Sequence, residues 1–251
     1  MSALSYLCEY ESNSEDSDSD LNSHKQPKRS KLPGPNLSKV AVVPLDLHED
    51  NALVHDGRTR SFPHVRGNWA TFVYVNYHAD GLRDLIEKLQ EVVTANIGEC
   101  HNCEDFHISL SKTFVLKYHL ISPFSISLQK SLSSIDSFHL GFAAVKIYCN
   151  EENSRTFISL EVDPFTQKHL LSLSKTVDRV LSEFQLPTFY EKPSFHMSVL
   201  WVNGNKKLEL ESILEVLNEL FYENTEKSPI TLLVDKINCK SGNKYFQYSL
   251  Y

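Results

Sequence analysis

The sequence predicts an α+β fold of two pseudo-symmetric lobes, mostly antiparallel sheet with flanking helices, whose repeated motif strands face one central cleft. Three observations carry that expectation. A five-residue phrase occurs twice, as Phe106-His107-Ile108-Ser109-Leu110 and as Phe195-His196-Met197-Ser198-Val199. Each copy alternates apolar and polar residues with the period of two that marks a strand, so the imidazole and the hydroxyl of each HxS tripeptide share one face. Each copy also follows a strand-like run and an amphipathic helix, the order a duplicated unit would repeat.

Residues 1–39 stand apart from this pattern. Positions 9–20 are almost entirely Glu, Asp and Ser, and Lys25, Lys28, Arg29 and Lys31 precede Pro33-Gly34-Pro35. Such a segment buries too little apolar surface to order itself, which predicts a disordered acidic and basic tail over 1–39 and a two-lobed domain over 40–251. The basic cluster reads equally as a nuclear import signal or as a solvated tail.

The domain then unfolds element by element. WATFVYVNY, from Trp69 to Tyr77, reads as a buried strand. Leu82, Leu85, Ile86, Leu89, Val92 and Val93 fall on one stripe of an amphipathic helix. The first HxS strand follows, then a strand-like run over 113–121, then a helix that Ser122-Pro123 would open with a serine cap and a proline in its first turn. Phe138–Tyr148 and Arg155–Val162 are β-rich runs. After Pro164, Leu170, Leu171, Val177, Val180, Leu181 and Phe184 make the second helical stripe, and the second HxS strand arrives. A helix near 208–222, a strand over 230–239 and a Ser241-Gly242-Asn243 turn into a last strand finish the chain.

Composition narrows the function classes. With 41% hydrophobic and 11% aromatic residues in 251, the chain can bury a substantial core. No apolar stretch approaches a membrane span, and the first residues lack the basic-then-apolar order of a secretory signal, so a soluble cytosolic or nuclear protein is expected. Cys8, Cys100, Cys103, Cys149 and Cys239 are odd in number and lack disulfide-framework spacing, which predicts free thiols. Six of the 32 acidic and five of the 25 basic side chains lie in 1–39, leaving the rest at −6. That balance disfavours a broad electrostatic grip on a duplex and favours a local pocket for a short single-stranded end.

The chemistry rests on the pair of motifs. Two histidines supply one base and one acid that titrate near neutrality, the requirement for breaking an RNA phosphodiester through its own 2′-hydroxyl. A lone strand histidine is more often structural, and it is the second copy in a matched context that reverses the odds. Cys100-His101-Asn102-Cys103 lacks a second ligand pair at zinc spacing, and HExxH, GxxxxGK[ST] and GxSxG are absent, so no metal or cofactor is expected. His101, His119 and His139 read as surface or packing residues. Tyr190, in Phe189-Tyr190-Glu191-Lys192-Pro193-Ser194, is a candidate base-stacking platform, with an ordinary core aromatic as the competing reading.

The paired HxS tripeptides resemble those of the 2H phosphoesterase superfamily. FHISLSKTFVL, VKIYCNEENSRTFISLEV, FYEKPSFHMSVLW and CKSGNKYF, in this order, resemble one branch, the U6 spliceosomal RNA phosphodiesterases of the Usb1 or Mpn1 family, over roughly residues 60–250. That resemblance implies a metal-independent 3′-to-5′ exoribonuclease that removes terminal uridines and adenosines and leaves a 2′,3′-cyclic phosphate. It matches His107 and His196 to the catalytic pair, with His196 as base and His107 as acid. It matches Ser109 and Ser198 to phosphate-binding hydroxyls, Tyr190 to an aromatic stacking on the terminal base, and Ser194 to the substrate-lining segment. It further implies a nuclear, monomeric protein acting on the uridine-rich single-stranded 3′ end of U6 small nuclear RNA. Two rivals stay open at this level: a non-catalytic protein guarding an RNA 3′ end, and a phosphodiesterase that opens 2′,3′-cyclic ends.

Overall fold

The computed structural model describes residues 65–77 and 81–251. The tail, its basic cluster, Cys8 and the boundary at residue 40 lie outside the described residues. The elements run β1 (Asn68–Asn76), α1 (Arg83–Ile97), β2 (His101–Asn102), β3 (His107–Ser109), β4 (Phe114–Lys117), α2 (Tyr118–Leu132), β5 (Phe138–Cys149), β6 (Arg155–Val162) and α3 (Gln167–Glu183). They continue with β7 (His196–Asn203), α4 (Lys207–Ser212), α5 (Leu214–Lys227), β8 (Thr231–Val234), β9 (Lys236–Ser241) and β10 (Lys244–Ser249).

These strands make one antiparallel sheet in the order β10-β9-β1-β3-β7-β6-β5-β8, with β2 added to β7 and β4 to β1. The order is a pseudo-dyad. Four strands lie on either side of the β3–β7 seam, and in each half a long strand (β1, β6) leads through a helix (α1, α3) to an HxS strand beside it. The period-two pattern explains which face is buried: Val73, Val75, Ile108, Leu110, Leu160, Met197, Val199, Ile237 and Cys239 all turn to the apolar core. The helices supply the other wall, through Leu85, Ile86, Leu89 and Val93 of α1 and Leu170, Leu173, Val177, Val180 and Leu181 of α3. Leu171, expected on that stripe, is instead exposed, and Leu173 takes the inward position.

Three boundaries differ from the sequence reading. The helix expected to open at Ser122-Pro123 begins at Tyr118, directly after β4, with Pro123 inside it and no side-chain cap. Ile121 and Phe124 are buried on either side of the proline, and that burial holds the preceding turn helical at the cost of one missing N–H. The helix near 208–222 is two helices broken at Ile213. The run 230–239 is two strands joined by Asp235: β8 pairs with β5 and β9 with β1, at opposite ends of the strand order, so the sheet curls until one residue links its two lobes.

Candidate active site

Where the lobes meet, β3 and β7 pair antiparallel about Ile108 and Met197. That register sets His107 across from Ser198 and Ser109 across from His196, with Cβ atoms of directly opposed residues about 4.5–5.5 Å apart. The two apolar midpoints are fully buried, so both histidines and both serines are turned to the other face, where they are half-buried. Ser111, which the strand alternation would place on the same face, is pulled aside. Its Oγ accepts the Val73 N–H at 2.9 Å, satisfying a β1 donor where β3 gives way to β4.

Each imidazole is held in the same manner. His107 Nδ1 lies 3.0 Å from the Asp105 carbonyl, and His196 Nδ1 lies 2.7 Å from the Ser194 carbonyl. A carbonyl oxygen only accepts, so Nδ1 carries the hydrogen and, in the neutral ring, Nε2 is the nitrogen with the lone pair. Burial pushes both histidines below their ordinary value, opposed by those carbonyl bonds; the charge of His107 lowers His196 further. Two imidazoles that repel each other's protons share one proton more readily than they hold two.

The surroundings break the symmetry. His196 lies flat against Tyr148, with ring centroids 3.8 Å apart and planes 13° off parallel. Tyr148 Oη and Ser194 Oγ are 2.6 Å apart, so Ser194 holds the imidazole through its carbonyl and the tyrosine through its hydroxyl. His107 instead meets the edge of Tyr74 at 5.4 Å and Phe72 at 5.8 Å. Ser198 Oγ is 3.0 Å from the fully buried Ser159 Oγ. Tyr190 is 47% exposed, ruling out the core-aromatic reading; Lys112 Nζ stands 4.1 Å above its ring, and its hydroxyl donates to Glu151 at 3.1 Å.

The structure thus gathers His107, His196, Ser109 and Ser198 on one face, with Ser194 beneath His196 and Tyr190 on the neighbouring loop. Tyr148, Ser159 and Lys112 were not singled out in the sequence. Tyr148 sits in VKIYCNEENSRTFISLEV, but its alternation there is that of any half-buried strand, and only the tertiary fold lays its ring on His196. His101, read as a packing residue, is one: its ring stacks on Trp201 at 4.3 Å. Cys100 and Cys239 are buried thiols, pushed up to about 12. No helix among the described residues is long and apolar enough to cross a membrane.

Comparison with known proteins places this chain in a family. A family model named HVSL and described as an uncharacterised conserved protein matches residues 31–249. U6 snRNA phosphodiesterase 1 of Homo sapiens is 42% identical over 209 residues, which cover 80% of this chain and 77% of that protein. Its Drosophila melanogaster counterpart is 38% identical over 227 residues, 89% and 86% of the two chains. The chain belongs to the U6 snRNA phosphodiesterase 1 family. The fold of that family extends to distant sequences. Kluyveromyces marxianus Usb1, solved with uridine monophosphate, superposes with a TM-score of 0.52 at 13% identity over 73% of this chain and 99% of that one. For a member of the U6 snRNA phosphodiesterase 1 family, the strings that carried the resemblance at sequence level span both lobes and the seam between them.

Proposed function

We propose that this protein trims the 3′ end of U6 small nuclear RNA as a 3′-to-5′ RNA phosphodiesterase, using its own histidines as base and acid. The observation that carries the reading is the antiparallel pairing of the two HxS tripeptides about Ile108 and Met197, which juxtaposes two imidazoles with matched, carbonyl-held Nδ1 atoms. His196 Nε2, on the more rigidly stacked ring, takes the proton from the 2′-hydroxyl of the penultimate nucleotide. That oxygen attacks the adjacent phosphorus, and His107 gives a proton to the departing 5′-oxygen of the terminal nucleoside. The products are a free nucleoside and an RNA ending in a 2′,3′-cyclic phosphate. Ser109 and Ser198 donate to the non-bridging oxygens as charge grows there.

Tyr190 presents a half-exposed ring on which the terminal base stacks, and stacking tolerates uridine and adenosine alike. Ser194 lines that side of the pocket while it fixes His196. No metal enters this scheme, and a nuclear location follows from the substrate together with the basic cluster at Lys25–Lys31. Oligouridylate carrying 2′-O-methyl at the penultimate ribose should bind and resist cleavage, whereas the unmodified RNA shortens stepwise and ends in a cyclic phosphate. Normal cleavage of the methylated RNA would exclude attack by the 2′-hydroxyl. Hydrolysis of pre-formed cyclic ends without shortening would instead favour the cyclic phosphodiesterase.

A further inference from the structure

We propose that the open face of β1, β9 and β10 binds the RNA upstream of the scissile phosphate, with Lys240 and Tyr245 forming its outermost subsite. The inference rests on the function proposed above and names where the rest of the substrate lies.

Strand register carries it. Ser109 pairs across from Tyr74, Tyr74 from Asn238, and Asn238 from Gln247, so these four side chains form one row running from the seam to the edge of the first lobe. Phe72, Lys240 and Tyr245 pair in the next row. The intervening residues Val73 and Cys239 are buried in the core and Phe246 packs against it, so both rows lie on the face that carries His107. The rings touch in sequence: His107 against Tyr74, Tyr74 against Phe72 at 4.9 Å, and Lys240 Nζ 5.1 Å over the ring of Tyr245. Three strand spacings give a path of about 14 Å from Ser109 to the edge. At the ~3.4 Å of stacked nucleotides or wider, that holds about two to four of them.

Charge selects the occupant and the direction. Residues 236–249 contain no Asp or Glu within a chain of net charge −7, and Lys236 and Lys240 share this face; Lys244 lies on the other face, over Trp69 and Tyr118, and Asp105 is a carboxylate that acts on Lys240 and Tyr74. The corresponding region of the second lobe is different: Lys146 is paired with Glu161, and the turn between β5 and β6 brings Glu151 and Glu152. A polyanion whose terminal base rests on Tyr190 in the second lobe therefore leaves across the first. Aromatic rings interleaved with lysines suit single-stranded RNA of any sequence, through stacking and phosphate neutralisation. Tyr245 is 66% exposed, with the Lys240 ammonium over its ring.

The test uses the full chain and oligouridylates of two, three, five and eight nucleotides, each blocked by 2′-O-methyl at the penultimate ribose, with binding read by fluorescence anisotropy. Wild-type affinity should rise with length and then level off. Tyr245→Ala should bind the eight-mer roughly tenfold more weakly while cleaving unmodified diuridylate normally, and Lys240→Gln should weaken eight-mer binding similarly and reduce the salt slope by about one. Unchanged eight-mer affinity in both variants would overturn the proposal, as would equal losses on the two-mer and the eight-mer. If the wild type bound RNA with this length dependence but cleaved none, the proposed activity would fall and the track would stand.

Discussion

The two lobes present the same tripeptide in unequal surroundings. Around His196, a tyrosine lies flat on the imidazole and a single serine, Ser194, bonds both rings. Around His107, the aromatic neighbours meet the ring tilted or edge-on, and the nearby charges are Asp105 and Lys240. The pseudo-dyad presents two histidines held alike at Nδ1, and the residues packed around them stack one flat under a tyrosine and leave the other edge-on to its aromatic neighbours. A base that must stay neutral gains from burial and a fixed tautomer. Burial lowers both imidazoles and each has a carboxylate nearby, Asp105 at His107 and Glu161 at His196, so the asymmetry lies in the ring packing.

The largest break in that comparison comes from removing each histidine. His107→Ala and His196→Ala should each lower turnover by about 10²- to 10⁴-fold with the fold retained. Replacing the bridging 5′-oxygen by sulfur, which leaves without a proton, should rescue His107→Ala alone. Rescue of His196→Ala alone would exchange the roles.

A smaller effect is expected at the clamp. Tyr148→Leu should reduce kcat by about 10- to 100-fold with little change in KM, because the imidazole is no longer held in line. His196 also faces Glu161 and His107, with Lys146 paired to Glu161 and Tyr148 itself above the ring. Opening the site to water relieves its desolvation, so the low-pH limb of kcat/KM should move upward. Tyr148→Phe keeps the stack and should stay close to wild type; a loss as large as that of Tyr148→Leu would assign the role to the hydroxyl instead.

The smallest effect is on stability. Both folded histidines sit below their ordinary value, so above about pH 6.5 they are neutral folded or unfolded and contribute nothing through protonation. As pH falls below that value the unfolded chain takes up protons first, and stability declines until the folded groups titrate as well. Thermal melts of the His107→Gln, His196→Gln double variant should lack this part of the acid-side decline. An identical decline in both proteins would place its origin elsewhere.

How much of this was legible in the chain depended on the range of the interaction. The strand at Trp69–Tyr77, the helix of Leu85, Ile86, Leu89 and Val93, and the alternation of both HxS phrases are local periodicities, and the structure keeps each within a residue or two. Pro123 misled because a cap rule describes an isolated helix start, whereas burial of Ile121 and Phe124 extended the helix upstream. The run 230–239 concealed a change of lobe at Asp235, since both halves have the same β-type composition and only their partners differ.

The sequence by itself determined the site's chemical inventory and its sidedness. Alternation puts His107 with Ser109 and His196 with Ser198, whatever the rest of the chain does. Tertiary structure decided which groups meet: the β3–β7 register that faces each histidine with the other motif's serine, Tyr148 laid on His196, and the tail strands β9 and β10 returned beside β1. The physical reason is distance along the chain. Side-chain direction follows from each residue's own backbone, but a contact between remote segments forms only when burial of a shared core fixes their register.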